Sequence, residues 1–327
     1  MTATASRRSS AGILFILIGM LSISVNDMLI KALSGDYPLH QIVFTRSAIG
    51  MVLSLILVQM EGGFSILKTR TPGLHMLRGA FVVVSNMTYF VALAVMPLAD
   101  ATALFFAAPL FITLLSIPLL GEKVGPLRLG AVVVGFAGVI IMQRPWESSE
   151  TLDVSRIVLL LPVLSALTYA LMQLMTRRLG TTTRASALAV YIQGMFILVS
   201  VAFYLVAGDG RFAEGVENES LKFLLRAWIL PEGGDWWPMI GLGVNSAIIG
   251  YCLSQAYRLS DAATVAPFEY VGLPLAVFWG WLLWSDIPDL PIWTGMALIM
   301  ASGLFVYLRE KQKERRVARA AEIKARY

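Results

Sequence analysis

Cysteine, histidine and charged residues are all scarce in this chain of 327 residues. Its single cysteine, Cys252, rules out a disulfide framework and a paired-thiol redox motif within the chain. The two histidines, His40 and His75, lie near the ends of apolar runs, and the sequence contains no metal-hydrolase, nucleophile-elbow or Walker-type phosphate-loop motif. A zinc enzyme is therefore disfavoured, an ATP-driven pump would need a motor on another subunit, and no metal or cofactor is expected.

The low content of charged residues is matched by a high content of apolar ones. Charged residues make up 14% of the chain and hydrophobic ones 57%, whereas soluble domains carry about 25% charged residues. Runs of about 20 apolar residues are long enough to cross a membrane as a helix. Ten such runs cover 11–33, 38–59, 74–96, 98–120, 127–143, 156–178, 184–207, 236–258, 261–284 and 290–308. The sequence predicts an all-α polytopic membrane protein with ten transmembrane helices.

The distribution of positive charge predicts the orientation of these helices. With the N-terminus in the cytoplasm, the cytoplasmic segments hold 19 of the 26 Lys and Arg residues, the opposite side holds 6, and Arg46 lies within a span. Such a bias places both termini inside. Residues 1–10 are then a short cytoplasmic segment and 309–327 a basic cytoplasmic tail. A solvated tail that only fixes the orientation is favoured over one attracted to anionic lipids of the inner leaflet. The pI near 9.4 reflects this bias, so no nucleic-acid partner is expected.

The second half of the chain repeats the first with a shift of 165 positions. The matches fall on residues that set kinks and close contacts, which gives them weight despite their small number. They include Pro109/Pro274, Pro126/Pro291, Gly130/Gly295 and Gly138/Gly303. Because each half has an odd number of spans, the second must enter the membrane with the opposite orientation. We therefore predict an inverted five-plus-five repeat, with halves 11–144 and 145–308.

The segment between the seventh and eighth predicted spans, 208–235, has a pattern of its own. Leu221, Leu224, Leu225 and Trp228 follow a helical spacing of i, i+3, i+4 and i+7. This predicts an amphipathic helix at about 219–230 that lies in the membrane interface. A connector resting on the outer leaflet is favoured over an outer lid.

Two carboxylates within the spans are the strongest candidates for function. Asp27 is four residues from Lys31, so the two could neutralise each other. Alternatively, Lys31 extends to the membrane surface, and Asp27 faces a central cavity with Arg46 as its partner. Glu269 lies between Pro267 and Pro274, which bend the ninth span, as Pro109 does the fourth. It is either a cavity carboxylate or a structural one.

Amides and phenols on other spans could orient a polar metabolite, although bonds between helices are the alternative for each of them. The predicted substrate-binding residues are Asp27, Asn86, Tyr89, Tyr251, Gln255, Glu269 and Tyr270. Burial disfavours the charged form of a carboxylate, so Glu269 and Asp27 are also candidates for proton coupling.

Several runs resemble the EamA family of the drug/metabolite transporter superfamily. They are Leu77-Arg78-Gly79, Pro97-Leu98-Ala99-Asp100-Ala101, Leu120-Gly121-Glu122-Lys123-Val124 and Ala266-Pro267-Phe268-Glu269-Tyr270. The resemblance spans nearly all of 11–308. It implies ten helices in an inverted repeat, alternating access to a central cavity, and a bacterial inner membrane. Subgroups that it resembles handle amino acids, S-adenosylmethionine-like compounds and riboflavin.

The expected function is therefore that of a secondary active transporter that moves a small polar metabolite, and not that of an enzyme. Two alternatives stay open at this point: a membrane-embedded enzyme acting on a lipid or isoprenoid, and a channel. The expected partners are the small-molecule substrate and membrane lipids, and a homodimer is left open.

Overall fold

A computed structural model describes residues 3–121, 124–147, 155–179, 183–259 and 268–324. In these ranges the regular secondary structure is helical, with two short 3-10 helices at Phe64–Leu67 and Gly233–Asp235. The α-helices are α1 Ala3–Leu33, α2 Leu39–Glu61, α3 Pro72–Leu93, α4 Leu98–Phe105, α5 Ala108–Leu120, α6 Pro126–Gln143, α7 Arg156–Leu179, α8 Ala185–Ala207, α9 Glu219–Leu225, α10 Trp236–Leu259, α11 Gly272–Trp284 and α12 Leu290–Lys324.

The length and composition of these helices confirm an all-α, multi-pass membrane protein. Eight helical stretches among the described residues are long and apolar enough to cross a bilayer, and Gly272–Trp284 is a shorter apolar helix. Residues 260–267, which would begin the ninth predicted span, lie outside the described part. The count of ten therefore stays a prediction.

Three elements differ from the sequence-based expectation. The fourth predicted span is two helices, α4 and α5, because the chain breaks at Phe106–Ala107. The helix expected at about 219–230 ends at Leu225, after an N-cap bond from the Leu221 amide to the Asn218 side chain. The last helix does not end with its apolar run, since α12 continues through the basic tail to Lys324.

Helices of the two halves pack against each other throughout the bundle. The most extensive contacts join α1 to α10, α3 to α7, α2 to α8 and α6 to α12. If the halves are exchanged, the α1–α10 pair maps onto α7–α3, while the α2–α8 and α6–α12 pairs map onto themselves. This pairing is compatible with the inverted repeat, which remains a prediction.

Two of the repeated glycines let α6 and α12 cross closely. A methyl group on Gly138 would lie 2.9 Å from the carbonyl oxygen of Gly295, and one on Gly295 would lie 2.8 Å from that of Gly138. Small residues permit such an approach between helices in a membrane. Gly130, two turns earlier on α6, has no heavy atom within 4 Å of the same position.

Gly295→Ala is expected to destabilise the protein by roughly 1–3 kcal/mol, because the helices must separate to admit the methyl group. Gly130→Ala is the matched control, since it adds a methyl group in open space and improves helix propensity. The measurement is the thermal unfolding midpoint of the purified protein in detergent. Equal midpoints for the two variants would contradict the close crossing.

Candidate functional site

Two helix breaks meet in the interior of the bundle. The first separates α4 from α5 at Phe106–Ala107, and the second is the turn at Tyr270–Val271 that precedes α11. A shift of 165 positions carries Phe105 and Phe106 onto these two turn residues. The rings of Phe106 and Tyr270 stack with centroids 5.5 Å apart and planes inclined by 29°. The breaks are thus in direct contact through their aromatic side chains.

Proline explains why the chain breaks at these positions. Pro109 is in the first turn of α5 and has no N–H, so the helical bond to the Phe105 carbonyl cannot form. Pro274 is in the first turn of α11, at the repeat-equivalent position. Pro267 lies outside the described residues. Broken helices expose backbone polar groups, and within a membrane these are tolerated only where protein or a water-filled cavity surrounds them.

The first polar cluster beside the breaks is formed by Asn26, Asp27, Arg46, Tyr89 and Thr102, here called the Asp27 group. The Asn26 amide donates to Asp27 Oδ1 at 3.1 Å, and the Tyr89 hydroxyl donates to Asp27 Oδ2 at 3.2 Å. The hydroxyls of Tyr89 and Thr102 are 2.9 Å apart. Every member of the group is less than 10% exposed. The predicted residues Asp27 and Tyr89 are therefore joined directly.

Arg46 balances the charge of this group through an intermediary. Its Nη1 donates to Asn26 Oδ1 at 3.3 Å, so the Asn26 amide bridges the guanidinium and the Asp27 carboxylate. The guanidinium carbon also lies 5.3 Å and 5.0 Å from the ring centroids of Phe90 and Phe196. Its Nε has no hydrogen-bond partner among the residues that the structure describes. Arg46 is thus the counter-charge predicted for Asp27, and it interacts with the carboxylate indirectly, through Asn26.

Lys31 does not pair with Asp27. Its ammonium donates to the carbonyl oxygens of Met96 at 2.5 Å and Leu93 at 3.3 Å, at the end of α3, and lies 5.3 Å from the Trp284 ring centroid. A cation at a helix C-terminus satisfies carbonyls that lack helical partners. The direct pairing of Lys31 with Asp27, one of the two arrangements that the sequence allowed, is therefore not formed.

A second cluster, formed mainly by the other half of the chain, contains Glu269, Tyr169, Gln173, Tyr270 and Arg78. Glu269 is close enough to Tyr169 and Tyr270 to interact with both electrostatically, and Arg78 interacts with Tyr169 as well. The Gln173 amide donates to the Tyr169 hydroxyl at 2.7 Å. Arg78 is 6% exposed, so it is a buried residue and not the surface anchor that its place near a span end indicates. Glu269 is half-buried.

Aromatic rings connect the two clusters. Phe105 lies with its ring centroid 5.3 Å from Tyr89 and also 5.3 Å from Tyr169. Phe106, its neighbour, stacks on Tyr270. The tip of Tyr270 rests against Gly303 of α12, where a methyl group would collide with the hydroxyl. Sequence reasoning missed Thr102, Phe105 and Phe106, although two adjacent aromatics just before Pro109 are a usable signal.

Other predicted residues lie outside these clusters. The Asn86 amide donates to the Val82 carbonyl of its own helix at 3.0 Å. Tyr251 of α10 packs edge-on against Phe15 of α1, with centroids 6.1 Å apart. Gln255, one turn further along α10, is half-buried. Among the described residues, the hydrogen bonds of Asp27 go to Asn26 and Tyr89 and to neither Tyr251 nor Gln255.

The segment 208–235, here the long connector, covers the end of the bundle where α1 ends and α2 begins. The Gln41 amide donates to the Ile229 carbonyl and accepts from the Ile229 amide. The Tyr37 hydroxyl donates to Asp235 at 2.7 Å, and this bond raises the pKa of Tyr37 above its usual value. His40 Nδ1 lies 3.1 Å from the Leu224 carbonyl oxygen. The long connector is thus fastened to the first half of the chain.

A polytopic helix bundle whose broken helices meet between buried charges defines a membrane transporter. Known proteins place it within that class. The model of the EamA-like transporter family matches residues 10–144. A riboflavin transporter of Vibrio cholerae is 31% identical over 281 residues, which are 85% of this chain and 86% of that protein. The chain belongs to the EamA-like transporter family.

Further relatives cover nearly the whole chain. A riboflavin transporter of Rhizobium johnstonii is 28% identical over 313 residues, 95% of either chain. An S-adenosylmethionine uptake transporter of Rickettsia prowazekii is 25% identical over 301 residues, 92% of this chain and 94% of that one. A crystal structure with a TM-score of 0.59 and 18% identity covers 96% of this chain and 100% of its own, which shows the shared fold. The chain is thus a metabolite transporter, and the enzyme and channel alternatives are not supported.

Proposed function

We propose that the protein is a secondary active transporter that carries a planar, heteroaromatic metabolite of the riboflavin type by alternating access. The observation that carries the proposal is the meeting of the two helix breaks at Phe106 and Tyr270, 5.5 Å apart. Transporters form their substrate sites from discontinuous helices at the repeat interface. The substrate would enter where these two rings now stack on each other.

The chemistry of the surrounding side chains supports a planar substrate with polar edges. Phe105, Phe106, Tyr169 and Tyr270 offer aromatic faces between the two polar clusters. Aromatic pairs prefer offset or edge contacts with centroids 4.5–7 Å apart, so an aromatic ligand can replace one ring-to-ring contact by another. The hydroxyls and amides of the two clusters would then bind the edges of the ligand. Relatives named as riboflavin transporters support the same substrate class.

Asp27 and Glu269 are the proposed proton-coupling residues. They lie on opposite sides of the aromatic contacts, each beside a tyrosine: Tyr89 donates to Asp27, and Tyr270 adjoins Glu269. Carboxylates within transmembrane segments are costly and mark proton or substrate pathways. Proton uptake at one of them when the site faces one side, and release on the other side, would couple transport to the proton gradient.

The proposed setting is the bacterial inner membrane, with both termini in the cytoplasm. The excess of Lys and Arg in the segments on one side supports this orientation. With it, the long connector lies on the periplasmic side and closes that end of the bundle, while the inverted halves 11–144 and 145–308 supply five spans each. The bonds of Tyr37 and Gln41 to the long connector hold that side shut.

Flux into proteoliposomes tests the proposal. We expect saturable riboflavin uptake and accelerated exchange when unlabelled riboflavin is present inside, and at least a roughly tenfold rise in KM for Phe106→Ala, since about 1.4 kcal/mol of stacking contact is lost. Phe111→Ala is the matched control. Phe111 lies five residues after Phe106, on α5, and packs on Phe136 of α6, with centroids 5.0 Å apart.

Two outcomes would count against the proposal, at different levels. If S-adenosylmethionine exchanges in the same vesicles while riboflavin does not, the flavin-type substrate is wrong and the transporter class stands. If riboflavin is transported and Phe106→Ala behaves like Phe111→Ala, the substrate stands and the site at the helix breaks is wrong.

A further inference from the structure

A groove of about 400 Å³ lies between α2, α3 and α8, at the end of the bundle where α2 ends and the other two helices begin. Its walls are mainly apolar and include Met51, Met76, Met195 and Leu198. His75 lies at the groove, and Tyr89 belongs to the Asp27 group. The two are 14 positions apart on α3, which is about 21 Å along a helix. The groove is therefore separate from the Asp27 group, while Arg78 of the second cluster lies one turn from His75 and interacts with it electrostatically.

The groove opens toward the lipid-facing side of the bundle. Met76 is 60% exposed and Leu198 is 61% exposed, so its rim is apolar and uncovered. Gly194 has no side chain and so leaves the groove open at its base. Even a methyl group there would be 3.7 Å from the nearest atom, Cε of Met51. A long, flexible hydrocarbon chain fits such a surface, because methionine side chains adapt to irregular apolar shapes.

One buried polar group lies in this apolar surface. His75 lines the groove and is 5% exposed, and its Nδ1 has no hydrogen-bond partner in the described part of the chain. Its ring packs on Tyr191 with centroids 4.9 Å apart, and the Tyr191 hydroxyl donates to the Leu67 carbonyl at 2.6 Å. A buried polar atom without a partner is costly. A ligand that places an oxygen at Nδ1 would remove that cost.

Two cationic residues flank one lining residue of the groove in the sequence. Thr69 is a lining residue, and its neighbours in sequence, Lys68 and Arg70, are both exposed. The segment 62–71 contains these two cationic residues and no acidic one. Basic pockets between transmembrane helices on the cytoplasmic side bind anionic lipid headgroups. In the orientation proposed above, this segment is cytoplasmic.

We propose that the groove binds an anionic phospholipid of the cytoplasmic leaflet. The phosphate pairs with Lys68 and Arg70, an ester oxygen accepts from Nδ1 of His75, and one acyl chain follows Met51, Met195 and Leu198. The phosphate, the ester and the acyl chain of the lipid follow one another in the same order as the positive charge, the hydrogen-bond donor and the apolar surface of the groove. The site is independent of which metabolite the protein transports.

Native mass spectrometry of the delipidated protein, titrated with phosphatidylglycerol or phosphatidylcholine, tests this site. We expect the wild-type protein to retain phosphatidylglycerol preferentially. Lys68→Gln with Arg70→Gln should weaken that binding by about 30-fold, since each basic residue near an anionic lipid contributes about 1 kcal/mol. Gly194→Phe should abolish it by filling the groove.

Matched controls are Arg128→Gln, a basic residue of the same side outside the groove, and Gly130→Phe, a glycine of α6 with open space around it. Both should bind phosphatidylglycerol as the wild type does. Equal retention of the two lipids, or retention unaffected by the double charge variant, would overturn the proposal and indicate only non-specific lipid around the bundle. A change of oligomeric state in Gly194→Phe would also overturn it, in favour of a contact between two copies of the chain.

Discussion

Asp27→Asn is expected to lower the rate of transport by about tenfold or more, a loss of about 1.4 kcal/mol or more, and to remove its stimulation by an inward proton gradient. The substituted side chain keeps the size of the original and can still accept from Tyr89. Its amide nitrogen cannot accept, so the bond from Asn26 is lost together with the charge and the proton. Since a carboxamide does not titrate, a proton-coupled cycle that uses Asp27 cannot be completed.

Flux in proteoliposomes at several external pH values provides the measurement. Asp36→Asn is the matched control, because Asp36 is an exposed carboxylate just beyond the end of α1. Equal rates and equal pH profiles for the wild type and Asp27→Asn would show that Asp27 is a structural residue. Glu269→Gln in the same assay then tests the second proton-coupling candidate independently.

Arg46→Leu is expected to destabilise the protein by roughly 3–5 kcal/mol, because it leaves the Asp27 carboxylate buried without a counter-charge. The variant also loses the bond to Asn26 and the contacts with Phe90 and Phe196. The loss should be largest in alkaline solution and smaller in acid, where Asp27 takes up a proton and no longer needs a counter-charge. Thermal unfolding in detergent between pH 5 and pH 9 measures both effects.

The double variant Asp27→Asn with Arg46→Leu separates the charge effect from the loss of packing. If Asn26 transmits the interaction between the two charges, the double variant should be more stable than the sum of the single losses predicts, by about 1–3 kcal/mol. Strictly additive losses, or a loss for Arg46→Leu that does not change with pH, would contradict the role of Arg46 as the counter-charge of Asp27.

The features that the sequence predicted well are those set by composition and by proline. Apolar runs of membrane-spanning length predicted the all-helical, multi-pass fold, and the family resemblance predicted a transporter. Pro109 and Pro274 predicted distortion in two equivalent spans, because a missing N–H disturbs a helix wherever it occurs. The contact between the two breaks was not predictable, since it depends on how α4 packs against the segment that leads into α11.

The residues of the site were predicted in part, because their partners also depend on how the helices pack. The sequence offered two partners for Asp27, Lys31 on the same helix and Arg46 on the next one. Only the position of α3 decides that Lys31 caps its end while Tyr89 reaches the carboxylate. Asn86 is on the same helix as Tyr89, yet its amide bonds to its own backbone. Amphipathic spacing also overestimated α9, which ends at Leu225; the chain is extended from Arg226, and Ile229 bonds to Gln41.

The pairing of α1 with α10 and of α3 with α7 has a consequence for biosynthesis. Helices emerge from the ribosome in chain order, so α1 is inserted long before the helix that will cover one of its faces. The first half of the chain therefore stays in the membrane with its packing surfaces unfilled, and its tertiary structure is completed only when α10 and then α12, the partner of α6, have been inserted. We therefore expect the two halves to fold as one unit, and a truncation after α6 should yield inserted helices without a native bundle.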